Sequence, residues 1–98
     1  MNISTNKDGG KLTISLDGRL DTTSAPQLEG VLRETLRGVT ELEMDFAKLA
    51  YISSAGLRVL LSAMKLMKKQ GSRVVRNVND TVMEVFEITG FADMLTIE

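Results

Sequence analysis

The chain contains neither cysteine nor histidine, and those two absences remove most of the chemistry that small enzymes use. Without a thiol there is no disulfide framework and no thiolate metal ligand, a pattern that fits a reducing compartment. Without an imidazole no Ser-His-Asp or Cys-His arrangement can be built, and no His-bearing zinc site. Tryptophan is also missing, proline occurs once, and aromatic residues make up only 4% of the sequence. Long apolar runs are lacking, so nothing in the sequence reads as a membrane span. An excess of one charge is lacking too. Twelve Lys and Arg stand against 13 Asp and Glu, a net charge of −1, which argues against nucleic acid or another polyanion as partner. The opening MNISTNKDGG has neither the basic nor the apolar region of a secretion signal, and the expectation is a cytoplasmic domain.

What is present is ordinary for a folded protein. The 98 residues, 43% hydrophobic and 26% charged, suffice for one core and one domain over 1–98. The chain is organised around residues 42–71. Leu42, Met44 and Phe46 alternate with Glu41, Glu43 and Asp45, the period of a strand with one dry face. After a short connection, Leu57, Leu60, Leu61, Met64 and Met67 recur at helical spacing. Ser54 stands where an N-cap belongs and Gly71 where a C′ glycine belongs. Lys68 and Lys69 complement the dipole in the last turn.

Around this unit the remaining elements fall into order. Asn2 to Thr5 reads as an edge strand with Ile3 inward, and Asp8-Gly9 as a hairpin turn. Leu12, Ile14 and Leu16 mark a second strand, after which Gly18-Arg19-Leu20-Asp21 breaks the alternation and is expected to form a loop. A first helix is expected from Ser24, with Gln27 as capping-box partner and Pro26 in its first turn. Leu28, Val31, Leu32 and Leu36 form its buried stripe, and Gly38 ends it. Val74, Val75 and Val78 indicate a further strand. Asn79 or Asp80 caps a third helix that buries Val82, Val85 and Phe86 and closes at Gly90. Phe91 to Met94 adds a turn and Leu95 to Ile97 a last short strand. The order β-β-α-β-α-β-α-(β) predicts an α/β domain whose mixed, mostly parallel sheet begins with an antiparallel hairpin, with right-handed crossovers. The edge strand near Ile3 permits a homodimer.

Few residues carry chemistry. Ser53-Ser54-Ala55-Gly56 lacks the glycines and the base of a nucleophile elbow, and Gly9-Gly10 lacks the frame of a phosphate loop. No cofactor or metal site is expected. The carboxylates Asp17, Asp21, Glu41, Glu43 and Asp45 are scattered, which gives an enzyme reading centred on Asp21 and Asp45 little support. Ser54 remains. It reads either as a plain N-cap or as a phosphoryl acceptor, whose phosphate would lie against the helix's free N–H groups without melting it. Beside it, Arg58, Ser62, Lys65 and Lys69 form a polar stripe bordered by Leu61 and Leu66, a possible contact patch. Lys65, Lys68, Lys69, Arg73 and Arg76 form a basic cluster, either a solvated helix end or an anionic-surface site. Met64 and Met67 read as core filler, Asp21 as a loop brace, and Tyr51 as packing with its hydroxyl at the surface.

Tyr51-Ile52-Ser53-Ser54-Ala55-Gly56-Leu57, preceded by Asp45-Phe46, resembles the phosphorylation-site region of bacterial anti-sigma factor antagonists, the STAS domain family. Gly18-Arg19-Leu20-Asp21 is similar to that family's G-x-L-D loop. Asn77-Val78, Val82, Val85-Phe86, Thr89-Gly90-Phe91 and Leu95-Thr96-Ile97 are similar to its C-terminal pattern. The resemblance implies a partner-switching protein. Unphosphorylated, such a protein binds an anti-sigma factor that is also a serine kinase of the histidine-kinase-like ATPase fold, which frees a sigma factor. Phosphorylation by that kinase weakens the complex, and a PP2C-type phosphatase resets it. Ser54 matches the phosphorylated serine and Asp21 the acidic residue of the nearby loop. Gly56 and Leu57 match the start of the partner-contacting helix, so the implied contact set is Asp21, Ser53, Ser54, Gly56, Leu57, Arg58 and Leu61. Many antagonists read Asp-Ser-Ser-Gly. Here Ser53 replaces the Asp and Ala55 the second Ser, which leaves Ser53 as an alternative acceptor. It also leaves open a scaffold without a phosphoswitch, or an accessory subunit of a membrane transport system.

Overall fold

Alternation of apolar and polar side chains decides which face of the sheet is dry. The computed structural model describes residues 1–98. Its strands are β1 (Asn2–Asp8), β2 (Lys11–Leu20), β3 (Glu41–Ile52) and β4 (Ser72–Arg76), and its helices α1 (Ala25–Thr35), α2 (Ser54–Gln70) and α3 (Asp80–Thr89), followed by a 3-10 turn at Phe91–Met94. The sheet order is β1-β2-β3-β4, with β1 antiparallel to β2 and the other pairs parallel. Gly9, at φ +59°, makes the hairpin turn, a conformation glycine adopts freely.

Leu12 lies beside Leu42, Ile14 beside Met44, and Met44 beside Val75, all fully buried. The Phe86 ring of α3 lies 6.4 Å from that of Phe46, and one cluster of 24 buried residues joins these strands to all three helices. The helices therefore cover one face of the sheet. The opposite face, with Thr13, Ser15, Glu43 and Asp45, stays partly open to water.

Both central strands run further than their alternation suggests. β2 continues through Gly18, Arg19 and Leu20, where a loop was expected, and β3 reaches Ile52, so the connection to α2 shrinks to Ser53. The cause is a pair of bulges. Ser15 pairs with Asp45 but Asp17 with Lys48, and Gly18 pairs with Leu49 but Arg19 with Tyr51. At each step β3 carries one extra residue, which breaks the period-2 pattern without ending the strand. Leu49, Ile52 and Leu20 return to the core beyond the breaks, and Gly18 absorbs the distortion at φ +120°.

Two helix ends also differ from expectation. The capping box of α1 does not form: the Ser24 hydroxyl donates to the Arg19 carbonyl at 2.6 Å, and the Gln27 amide donates to the Met1 carbonyl at 3.1 Å. Gly71 is extended, at φ 166°, and its side-chain-free backbone serves close approach instead, since a Cβ there would stand 1.9 Å from the Thr40 carbonyl oxygen. That carbonyl accepts the Ser72 N–H at 3.0 Å, while the Gly10 carbonyl accepts those of Thr40 and Glu41 at 2.9 and 3.1 Å. Gln70 donates to the carbonyls of Leu36 and Val39 at 2.9 and 2.8 Å. These bonds knit the end of the domain where the parallel strands begin.

Asn79 caps α3, accepting from the Val82 N–H at 2.8 Å and donating to the Leu49 carbonyl at 2.7 Å. Gly90 closes that helix in the left-handed conformation. The expected last strand is a single bridge between Ile97 and Val75. β1 has a partner on one side only.

On the open face, Asp45 accepts from the Asn77 side chain and the Ala47 N–H, both at 2.9 Å, and these two bonds, Asn77 first, hold its carboxyl below the ordinary value. A carboxyl lowered in the folded state stabilises above its unfolded pKa, and that stability is lost as pH falls through the folded value. The urea midpoint of the wild type should therefore fall below about pH 4. In Asp45→Asn the fall should be shallower, and equal slopes in the two proteins would contradict the assignment.

Candidate functional site

Parallel strands deliver their C-terminal ends to one edge of a sheet, and crevices for ligands and partners gather there. Here β2 ends at Leu20 and β3 at Ile52, side by side, and the Ser53 N–H donates to the Leu20 carbonyl at 2.8 Å. Asp21 and Ser53 are thus neighbours by strand register. The bulges set that register: without the extra residues in β3 the two strand ends would not meet.

Asp21 is a brace. Its Oδ1 accepts the N–H groups of Thr23 and Ser24 at 3.0 and 3.1 Å, and its own N–H donates to the Ser24 hydroxyl at 2.9 Å. The Ser24 N–H above all, with the Thr23 N–H, the Ser24 hydroxyl and the Arg19 guanidinium, keeps the carboxyl below its ordinary value against a smaller desolvation effect. The carboxylate stays ionised, with Oδ2 4.0 Å from the Arg19 Nε. The Arg19 guanidinium in turn lies over the Tyr51 ring, 4.4 Å from its centre, a cation–π contact. Sequence reasoning missed that contact. Its signal is the pairing of Arg19 with Tyr51, which only the bulged register creates.

The capping role expected of Ser54 falls to Ser53. Ser53, extended at φ −98° and ψ 175°, is the N-cap, and its hydroxyl accepts from the Gly56 N–H at 3.3 Å. Ser54 is the first residue of α2, is exposed, and has no side-chain hydrogen bond within the protein. The reason is the extra length of β3, which carries the last non-helical residue to Ser53. Asp at this position would cap the helix equally well, since Asp and Ser are equally good caps. Ser53→Ala should cost about 1 kcal/mol and Ser53→Asp almost nothing by urea unfolding. Equal losses in the two variants would show that the cap hydrogen bond is not what Ser53 contributes.

Of the other expected contact residues, Arg58 is exposed and Leu61 is half-buried. Gly56 and Leu57 are buried, so they position the helix and offer no surface. A Cβ on Gly56 would stand 2.6 Å from the Leu20 Cγ and 3.0 Å from the Leu20 carbonyl oxygen, which explains the glycine. The polar stripe of Arg58, Ser62, Lys65 and Lys69 is exposed, with Leu66 beside it at 44% exposure. Met64 and Met67 are core residues. The largest depression, about 510 Å³, lies elsewhere, on the polar open face between Ser4, Asp17, Asp45 and Lys48. The edge therefore offers an unengaged hydroxyl on a rigid helix end, an ionised brace beside it and no enclosed cavity. That geometry suits modification and docking.

Comparison with known proteins gives the family and the fold. A family model described as "Mlab, STAS domain" matches residues 3–96. BtrV of Bordetella bronchiseptica, provisionally an anti-sigma factor antagonist, is 38% identical over 99% of this chain and 85% of its own. The anti-sigma-B factor antagonist of Listeria monocytogenes is 31% identical over 94% of this chain and 82% of its own. Among solved structures, the anti-sigma factor antagonist SpoIIAA of Bacillus shares the fold. Its unphosphorylated form gives a TM-score of 0.82 at 21% identity over 99% of this chain and 88% of that one. Its phosphorylated form gives 0.76 at 20% identity over 99% and 91%.

Proposed function

The chain belongs to the STAS domain family, and from that premise we propose that it is an anti-sigma factor antagonist switched by phosphorylation of Ser54. Unphosphorylated, it binds an anti-sigma factor with serine kinase activity and so releases a sigma factor. It works by binding and not by turnover, in the cytoplasm. No helix is long and apolar enough to cross a membrane.

The observation that carries this proposal is the division of labour between Ser53 and Ser54. Ser53 is committed to the cap, which leaves the Ser54 hydroxyl exposed and free for transfer from ATP. The Oγ–P bond forms as the β–γ phosphoanhydride breaks, ADP leaves, and the serine proton passes to a base of the kinase. The product carries about −1.5 to −2 charge. It stands where the N–H groups of Ser54 and Ala55 have no carbonyl partner within the helix, so it fits the fold as it is. Ser54, Arg58 and Leu61 form the contact surface, with Asp21 and Ser53 at its border. A PP2C-type phosphatase returns the protein to its binding state. The open outer edge of β1 is a place for a second copy, and the switch does not depend on it.

Phosphosite mapping by intact mass tests the proposal, after incubation of wild type, Ser54→Ala and Ser53→Ala with a candidate anti-sigma kinase and ATP. One phosphoryl group, lost only in Ser54→Ala, is expected. Loss only in Ser53→Ala would move the switch to the capping residue. Tight binding with no transfer would replace the switch by a constitutive scaffold, such as an accessory subunit of a transport system.

A further inference from the structure

At the far end of α2 from Ser54, a groove of about 310 Å³ opens between α2, β4 and the 3-10 turn, and its lining includes Leu61, Met64, Lys65, Lys68, Arg73 and Met94. We propose that this groove receives an acidic segment of a protein partner, in which carboxylates flank an apolar anchor residue. Of the basic cluster in the sequence, Arg76 is already satisfied, held by Glu43 at 2.8 Å and Glu98 at 3.1 Å. Lys65, Lys68 and Arg73 take part in none of the ion pairs. One carboxylate, Asp93, lines the groove, and α2 itself contains no acidic residue.

Arg73 sharpens the case. It stands beside Leu42 on the helix-covered side of the sheet, and its Nε is enclosed by protein without any acceptor. A desolvated, unpaired N–H on a cation is costly to maintain, and a carboxylate seated against the guanidinium offsets that cost. The apolar share of the lining decides between ligand classes. Leu61, half-buried, forms one wall over the core residue Met64, and Met94, 46% exposed, stands at the rim. A bare inorganic anion leaves that surface unused, whereas a peptide of mixed acidic and apolar residues covers both kinds.

Lys65 is eleven residues from Ser54, about 16 Å along the helix. The groove is therefore a second contact, which shares only Leu61 with the surface around Ser54 and does not depend on whether Ser54 is the acceptor. A partner could hold it in both states of the switch.

The probe is a synthetic peptide of alternating glutamate and leucine, titrated into the full 15N-labelled chain. Saturable amide shifts are expected at Leu61, Lys65, Lys68, Arg73 and Met94, with Ser54 and its neighbours unmoved. Arg73→Gln should weaken binding about tenfold, and binding should fall steeply with salt. Lys65→Gln with Lys68→Gln changes only exposed side chains and supplies a second variant if Arg73→Gln does not fold. Unchanged affinity in the folded variants would overturn the proposal. So would saturation of the same amides by inorganic phosphate at lower concentration, or binding of anionic phosphatidylglycerol vesicles with no response to the peptide.

Discussion

Gly71→Ala should lower the thermal midpoint by roughly 10–20 °C, a loss of about 2–3 kcal/mol for a domain of this size. The added Cβ would meet the Thr40 carbonyl oxygen at 1.9 Å, its carbon at 2.8 Å and the Thr40 Cα at 3.1 Å. All three are backbone atoms, so no rotamer change relieves the clash. Displacing Thr40 also strains the bond from the Ser72 N–H that starts β4. Because φ is 166°, the substitution costs nothing in backbone conformation, and the whole effect is steric. Gly30→Ala is the control. It adds a methyl inside α1 with nothing within 4 Å, and should raise stability by about 0.4–1 kcal/mol. Melting curves followed by circular dichroism distinguish the two, and a Gly71→Ala midpoint within 3 °C of wild type would show that β3 and β4 separate easily at that end.

Ser54→Asp should weaken binding to the proposed anti-sigma kinase by roughly 100-fold, about 3 kcal/mol, as expected for a charge that must be desolvated when the complex forms. The same change should not harm the fold. An acid in the first turn of α2 complements the helix dipole and adds about 0.3–1 kcal/mol to stability. Calorimetric titration and unfolding of the same variant thus move in opposite directions, which separates a switch from simple damage. Ser54→Ala should bind like the wild type. A Ser54→Asp variant that is more stable and binds unchanged would end the charge-based account of the switch.

Much of this fold could be read along the chain, because alternation and helical spacing are local. Leu12, Ile14 and Leu16 name a dry face, Asp8-Gly9 names its turn, and Leu57 to Met67 name the central helix. What could not be read were the consequences of register. Two bulges in β3 disguise a strand as a strand and a connection, and from that disguise the differences at the site follow. With β3 apparently ending near Phe46, Ser54 reads as the cap of the helix. With β3 reaching Ile52, the cap is Ser53. The pairing of Arg19 with Tyr51 and the approach of Asp21 to Ser53 depend on the same extra residues. Gly71 was identified as a helix-ending glycine, yet its reason is a strand-start neighbour 31 positions away, which no local pattern reports.

The hydrogen bonds of Gly10, Thr40, Gln70 and Ser72 all lie at one end of the sheet, and the exposed serine lies at the other. Solvent-facing positions around Ser54 can therefore vary without loosening the fastening that keeps the strands in place. Partner preference and fold stability are thus set at opposite ends of the sheet, and a change at one end leaves the other intact.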